Sequence, residues 1–213
     1  MNNTISTNII VLKKTVYQES SLIVSSISAE YGKVDFIIKG ARRVTKKESP
    51  IVDIFRELAV EYRETRSGLN SPIFLDLVKE YDQIALNPNI FVEVSRLSSF
   101  LLKNIYPRVA CDRVYAAFTN LLRKSADGRM ETFDITLLKL VFLSENGLLP
   151  EYFEAKSISS FQCTTEEKRQ RKFLNKLISY AEGNIPNMPK LSTEYQTKFS
   201  SWIINLCCHN GLG

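Results

Sequence analysis

The period of the hydrophobic pattern changes once along this chain, at Asn87-Pro88, and this change constrains the fold more than any other feature. Before it, apolar residues alternate with polar ones, which is the period of β-strands with one buried face. After it, apolar residues recur every three or four positions, which is the spacing of amphipathic helices. The fold class predicted is α+β, all-β then all-α, with domains at residues 1–81 and 82–213.

Five short strands are expected in the first domain. The strand-forming segments are residues 9–17, 22–27, 34–38, 58–62 and 73–77. A turn cluster at residues 66–72, which contains Gly68 and Pro72, separates the last two. Five strands with no helical period among them predict a small barrel. The five-stranded oligonucleotide-binding (OB) barrel is the commonest candidate at this size.

The second domain should begin with two helices. Asn87 is a good N-cap for the first, and Pro88 suits the first helical position because its missing N–H costs nothing there. Pro107 is expected to start the second helix in the same way. The sequence Ala126-Asp127-Gly128 is expected to end it.

Three more helices are expected after residue 130. The third, at residues 132–146, should end in a Schellman motif at Gly147, with Leu148 against Leu143 and Pro150 beyond. A polar helix follows at residues 164–181. A capping box of Thr193 and Gln196 predicts the start of the last helix. The second domain is therefore expected to be all helix.

The most basic segment of the chain follows the third strand. Residues 39–47 hold five basic residues and no acidic one: Lys39, Arg42, Arg43, Lys46 and Lys47. The net charge of +5 is otherwise spread evenly, with 12 basic against 10 acidic residues up to position 81 and 16 against 13 after it. The cluster predicts phosphate contacts at a strand exit, and Lys13 and Lys14 are further candidates for DNA binding. A solvated surface loop is the alternative.

Other side chains are candidate DNA or partner contacts. Proteins that bind single strands stack bases on aromatic side chains, and Tyr17, Tyr31 and Tyr62 are candidates that fit a barrel core or rim equally well. Arg108 and Arg113 lie at the expected start of the second helix. A second basic set consists of Lys168, Arg169, Arg171 and Lys172. This set fits a solvated helix face, or a rim that captures an acidic, hydrophobic peptide tail.

Catalytic chemistry is poorly supported. The chain has no phosphate-binding glycine loop, one histidine, and four cysteines without metal-ligand spacing, so we expect no enzyme activity, no cofactor and no metal. No apolar run is long enough to cross a membrane, and the N-terminus lacks the pattern of a secretion signal. Cysteines without a disulfide framework suggest a cytoplasmic protein.

Three short motifs resemble the N-terminal domain of the RecO recombination-mediator family in order and spacing. They are Tyr17-Gln18-Glu19-Ser20-Ser21-Leu22-Ile23, Glu30-Tyr31-Gly32-Lys33 and Lys39-Gly40-Ala41-Arg42-Arg43. The segment from Leu143 to Pro150 is similar to that family's helical element ending in glycine and proline. Many members carry a four-cysteine zinc module after this element. Here residues 151–167 hold only Cys163, so zinc is not expected.

The resemblance implies a DNA repair and homologous recombination protein with an OB barrel and a helical domain. Such proteins bind single- and double-stranded DNA and anneal complementary strands. They also contact the C-terminal tail of the single-strand binding protein, pair with RecR and help to load RecA. Lys39, Arg42 and Arg43 would contact phosphates in that case. The alternative is a protein–protein adaptor of the repair machinery that does not itself bind DNA.

Overall fold

Among the residues that the structure describes, five strands close into a barrel in the order β1-β2-β3-β5-β4. The computed structural model describes residues 4–41, 51–150 and 165–212. The strands are β1 (Thr4–Tyr17), β2 (Ser21–Ser28), β3 (Gly32–Ile38), β4 (Glu57–Arg63) and β5 (Leu69–Lys79). All neighbours are antiparallel except β3 and β5, which are parallel. The predicted five-stranded OB-type barrel is confirmed.

The long strand β1 closes the barrel because it pairs with two neighbours. Its first half pairs with β4 and its second half with β2, so that Ile10 lies opposite both Glu57 and Ile27. A β-bulge interrupts the pairing with β2 between Val11 and Lys13. Bulges shift the alternation of side chains between the two faces of a strand. This shift decides which of the neighbouring lysines faces solvent.

The barrel interior holds an apolar core contributed by all five strands. Its buried members on the strands include Ile9, Val11, Val24, Val34, Phe36, Leu58, Val60 and Tyr62. Each strand contributes alternate residues, as the period-2 pattern of the sequence predicts. Phe36 and Tyr62 meet edge to face, with ring centroids 5.1 Å apart. On each strand, the residues that alternate with these core residues therefore point to the outside of the barrel.

In the part of the chain that the structure describes, five α-helices follow the barrel, after a short 3-10 helix, Asp82–Leu86. They are α1 (Pro88–Asn104), α2 (Asp112–Ala126), α3 (Thr132–Glu145), α4 (Thr165–Ala181) and α5 (Thr193–His209). The predicted order of strands first and helices second is confirmed. Among the residues described, no helix is long and apolar enough to cross a membrane.

Local capping signals set two of the helix ends as predicted. The Asn87 side chain accepts hydrogen bonds from the N–H groups of Asn89 and Ile90, at the start of α1. At the end of α3 the Leu148 N–H donates to the Leu143 carbonyl at 2.8 Å, and Gly147 has φ +67°. Both the predicted N-cap and the predicted Schellman motif are confirmed.

A second apolar core joins the helices to the outer face of the barrel. Ile10, Leu12 and Ile27 face outward from β1 and β2 and pack with buried residues of the helices, among them Val94 and Val114. The Tyr115 hydroxyl on α2 also donates to the Glu57 carboxylate at 3.1 Å. The helices thus cover one part of the outer face of β1 and β2. The domain boundary at residue 82 stays a prediction.

The connector between α1 and α2, residues 105–111, corrects the prediction that Pro107 starts a helix. Pro107 instead forms an antiparallel bridge with Gly32, and α2 begins at Asp112. The Cys111 N–H donates to the Ala29 carbonyl at 2.7 Å. Hydrogen bonds to the β2–β3 turn and to the start of β3 hold the connector in place, so a proline that could begin a helix lies in a bridge instead.

Two other local predictions were wrong. Leu69 to Pro72 were assigned to a turn but belong to β5, where Pro72 lies opposite Tyr62 next to a bulge. Bulges are one of the few strand positions that tolerate proline. The last helix is capped by Ser192, whose hydroxyl accepts from the Tyr195 N–H, rather than by a Thr193 and Gln196 capping box. Thr193 is the first helical residue.

Candidate nucleic-acid interface

The outer face of β1, β2 and β3 beyond the helical cover is the candidate interface, and we call it the open face. The strand pairings place its residues in three rows, since directly opposed residues point to the same side. The rows are Lys13–Ser25–Asp35, Thr15–Ile23–Ile37 and Tyr17–Ser21, with Lys39 directly after the end of β3. Two of the three sequence motifs thus meet on one surface.

The open face combines a partly apolar floor with exposed groups at its ends. Ile23 and Ile37 are half-buried neighbours at its centre. Tyr17 is 41% exposed at the end nearest the β1–β2 turn. Lys13 and Lys39 are both exposed, and they are separated along the strand direction by at least four residue positions. A flat apolar surface with an aromatic ring and flanking cations suits the bases and phosphates of a single strand.

Asp35 is the acidic residue within these rows. Its Oδ2 lies 4.0 Å from the Lys33 ammonium, which is a weak ion pair. Its Oδ1 is buried and has no hydrogen-bond partner among the described residues. An unpaired acceptor disfavours phosphate and favours a donor such as the amino group of a base. Lys13 shares a row with Asp35, whereas Lys39 lies four residues farther along the chain from it.

Lys14 lies on the other side of β1. It stands opposite Val24, which belongs to the barrel interior, and its ammonium is 2.5 Å from the Asp53 carboxylate. Lys13 stands opposite Ser25 on the open face. The two lysines, grouped together in the sequence prediction, therefore have different surroundings. The prediction that both contact DNA is untested.

The remaining cations of the basic cluster lie outside the described residues. Arg42, Arg43, Lys46 and Lys47 fall in the gap between residues 41 and 51. In the sequence they follow Lys39, which itself comes directly after β3 at the end where Tyr17 lies. Gly40 has φ +73°, and a Cβ on it would meet no atom within 4 Å.

Tyr31 and Arg108 lie at the opposite end of β3. Tyr31 packs against the barrel core, and its carbonyl accepts from the Arg108 N–H at 2.8 Å. The Arg108 guanidinium donates to Glu64 at 2.6 Å, and this bond raises its pKa. These two candidates therefore meet each other, but they are separated from Tyr17 and Lys39 by the length of the strand.

Arg113 lies farther away, in the helical region. Its Nε donates to Glu182 at 2.7 Å and its Nη1 to Ser144 at 3.3 Å. These bonds tie α2 to the end of α3 and to the residue after α4. The side chain is partly exposed, but its partners give it a structural role at the junction of three helices.

Tyr62, the third stacking candidate, belongs to the core. It is 2% exposed, and burial raises the pKa of its hydroxyl to about 12. Its ring packs on Phe36 inside the barrel. Of the three tyrosines, Tyr17 alone is exposed on the open face.

Sequence reasoning did not select Lys33, Ile23, Ile37 or Tyr106. The alternation of Lys33, Asp35, Ile37 and Lys39 around the buried Val34 and Phe36 was the signal that could have identified the outward residues of β3. Tyr106 gave no such signal, because its place depends on the connector. In the ranges that the structure describes, no group of three or more potential ligands could hold a metal ion.

Comparisons with known proteins find similarity to RecO proteins. Residues 1–81 match the family described as Recombination protein O N terminal. The DNA repair protein RecO of Thermodesulfovibrio yellowstonii is 22% identical over 147 residues, which cover 69% of this chain and 59% of that protein. The DNA repair protein RecO of Geobacter metallireducens is 37% identical over 78 residues, which cover 37% of this chain and 32% of that protein. The chain thus matches less than two thirds of either relative's length. The barrel of this chain is thus similar to the N-terminal domain of RecO proteins.

Proposed function

We propose that this protein acts in DNA repair and homologous recombination as a mediator. In this proposal it binds single- and double-stranded DNA without sequence preference, anneals complementary strands and assists recombinase loading. It performs no turnover chemistry of its own. The observation that carries the proposal is the open face, where Lys13, Tyr17 and Lys39 surround an apolar floor on a barrel of the RecO type.

The chemistry of the open face favours binding without sequence preference. Lysine ammonium groups contact phosphates as point charges and do not distinguish bases. Tyr17 and the half-buried isoleucines offer surfaces that any base can contact. The basic residues that follow Lys39 in the sequence would add phosphate contacts at the same end. Annealing then needs no nucleotide, so we expect a rate that ATP does not change.

Protein partners belong to the same proposal. Arg171 and Lys172 are exposed on α4, next to the partly buried ring of Phe173. That ring meets Tyr195 of α5 at 5.8 Å between centroids. Cations beside aromatic rings suit an acidic, hydrophobic tail such as the C-terminus of the single-strand binding protein. Pairing with RecR and assistance to RecA are proposed from the family alone.

The direct test is DNA titration at several salt concentrations, with single strands of unrelated sequence. If about four of the five residues at positions 39–47 contact phosphates, log K should fall with log[salt] at a slope of roughly −3. Changing Arg42→Ala and Arg43→Ala together should weaken binding and reduce the slope by up to about 1.4. Binding that is flat in salt, or strongly dependent on sequence, would contradict the proposal.

The chain offers a matched control in adjacent lysines. Lys13→Ala should reduce the slope by about 0.7, the value for one phosphate contact on a single strand. Lys14→Ala should leave it unchanged, because Lys14 is paired with Asp53 on the other side of β1. Equal effects of the two would mean that the open face is not the site. Unchanged affinity in a folded Arg42/Arg43 double variant would favour the adaptor that does not bind DNA.

A further inference from the structure

We infer that Tyr106, in the connector between α1 and α2, stacks on a base of single-stranded DNA and extends the open face onto the helical region. The inference rests on the proposed DNA-binding function and adds a contact outside the barrel. The Tyr106 side chain is large and aromatic, yet it is 70% exposed on a backbone segment that is hydrogen-bonded to the barrel.

The backbone of the connector pairs with the start of β3 as a short antiparallel ladder. Pro107 bridges Gly32. The Lys33 N–H donates to the Tyr106 carbonyl at 3.3 Å, and the Arg108 N–H donates to the Tyr31 carbonyl at 2.8 Å. These two bonds flank the bridged pair, as they do in an antiparallel sheet. The position of Tyr106 relative to β3 is therefore set by the backbone and not by its own side chain.

This pairing places Tyr106 directly opposite Lys33. Directly opposed residues of an antiparallel pair point to the same side. Lys33 lies on the outer side of β3, because its neighbour Val34 is in the barrel core and its partner on β2, Ile27, faces the helices. The ring of Tyr106 therefore stands on the same side of the sheet as the open face, where the helical cover begins.

Two exposed tyrosines then mark the two ends of the face. Lys33 and Lys39 are six residues apart along β3, which is about 20 Å. Tyr106 lies at the Lys33 end and Tyr17 at the Lys39 end. At roughly 3.4 Å per stacked nucleotide this length holds about six nucleotides. OB folds bind about 4 to 16 nucleotides, so both rings fit within one site.

The charged residues around Tyr106 favour a nucleic acid as the binding partner over a protein surface that lacks acidic groups. Lys103 comes shortly before Tyr106 in the sequence, and Lys33 lies opposite the ring-bearing residue. The charge of Arg108 is neutralised by Glu64. Lys103 is exposed in the last turn of α1. An aromatic ring among cations is the combination that holds a base and its phosphate together.

The experiment compares an oligothymidylate with an abasic strand of the same length and charge, at one salt concentration. The parent protein should bind the base-bearing strand more tightly. Tyr106→Ala should weaken binding of that strand by about fivefold or more and leave the abasic strand unchanged, since one stacked base is worth at least about this factor. Tyr106→Phe keeps the ring and should bind within about twofold of the parent.

Val109→Ala is the matched control on the same connector. Val109 is 52% exposed but is not opposite Lys33, so this change should not alter the binding of either strand. Thermal melting of each variant confirms that the connector stays in place, and Tyr106→Phe provides a second readout if Tyr106→Ala melts early.

The outcomes separate this inference from the proposed function. A parent protein that binds neither strand would overturn the DNA-binding proposal itself. A parent that prefers bases, with a Tyr106→Ala variant that binds just as well, would overturn the inference alone and assign the ring to a protein contact. Equal loss on both strands would also overturn it, because a lost stacking partner cannot weaken binding to a strand without bases.

Discussion

The two ends of β3 carry the same backbone feature for different reasons. Gly32 and Gly40 flank the strand, and both have positive φ, +62° and +73°. A Cβ on Gly32 would lie well inside contact distance of the carbonyl oxygens of Tyr106 and Val109. A Cβ on Gly40 would meet nothing within 4 Å.

This difference shows what each end contributes. At Gly32 the connector approaches the backbone so closely that a side chain has no room, and the helical region is fixed to the barrel there. At Gly40 no described atom lies within 4 Å of the place that a Cβ would take. The Gly32 end of the strand is therefore packed against the connector, whereas no described residue crowds the Gly40 end.

The largest effect expected is that of Gly32→Ala. The new methyl group must displace the connector, and alanine is also strained at this φ. We expect a loss of about 3 kcal/mol or more in the free energy of unfolding, measured by urea denaturation. Gly40→Ala meets only the strain of the backbone and should lose about 1–2 kcal/mol. Equal losses would show that the close approach at Gly32 is not maintained in solution.

Lys39→Ala tests the Gly40 end of β3 through DNA binding instead of stability. Loss of one phosphate contact should reduce the salt slope for single strands by about 0.7, which is about fivefold in affinity at 0.1 M salt. The free energy of unfolding should stay within about 0.5 kcal/mol, because the side chain is exposed. A variant that binds DNA as the parent does would remove Lys39 from the interface.

At the Gly32 end of β3, Glu30 should make the stability of the protein depend on pH. The Thr7 hydroxyl donates to its carboxylate at 2.6 Å and lowers its pKa, with a smaller contribution from Ser28. A lowered pKa in the folded state stabilises the protein above the ordinary carboxyl value, and that stabilisation is lost as pH falls through the folded value. The parent should therefore lose more stability than Glu30→Gln as the pH is lowered from about 5 to 3. Parallel curves of the two proteins would contradict this assignment.

The smallest effect expected is that of Arg108→Ala, in the connector at the Gly32 end of β3. Arg108 bonds Glu64 on the surface, with 71% and 43% of the two side chains exposed. Exposed pairs of this kind contribute little to stability, and the carboxylate already neutralises the charge. We expect no measurable change in the melting temperature and a smaller change in salt slope than for Lys39→Ala. A larger change would extend the phosphate path to the connector.

Sequence patterns predicted the parts of the fold that depend on near neighbours. The Asn87 cap and the Gly147 stop act through hydrogen bonds within a few residues, and both were predicted. Pro107 was placed wrongly because its partner, Gly32, lies far away in the sequence. A proline at the start of a helix and a proline in a bridge look the same locally. Only the tertiary contact distinguishes them.

The candidate site was predictable to a similar extent. The alternation in β3 identified a strand that leads to a basic exit. Which of Lys13 and Lys14 lies on the open face was not predictable, because this depends on a bulge between Val11 and Lys13 that carries no signature in the sequence. The exposure of Tyr106 follows from a backbone ladder between distant segments, and no local pattern reports such a ladder.

The shared core on the outer face of the barrel has a consequence for how the protein is made. Ile10, Leu12 and Ile27 belong to the core shared with the helices, and β1 and β2 contact α1 and α2, the later of which ends at residue 126. A ribosome adds roughly 5–20 residues per second, so these side chains emerge several seconds before their cover is complete. During that interval the nascent barrel presents an uncovered apolar patch, which is a binding site for chaperones and a risk of aggregation. Synthesis order, and not only final stability, thus bears on how much active protein a cell obtains.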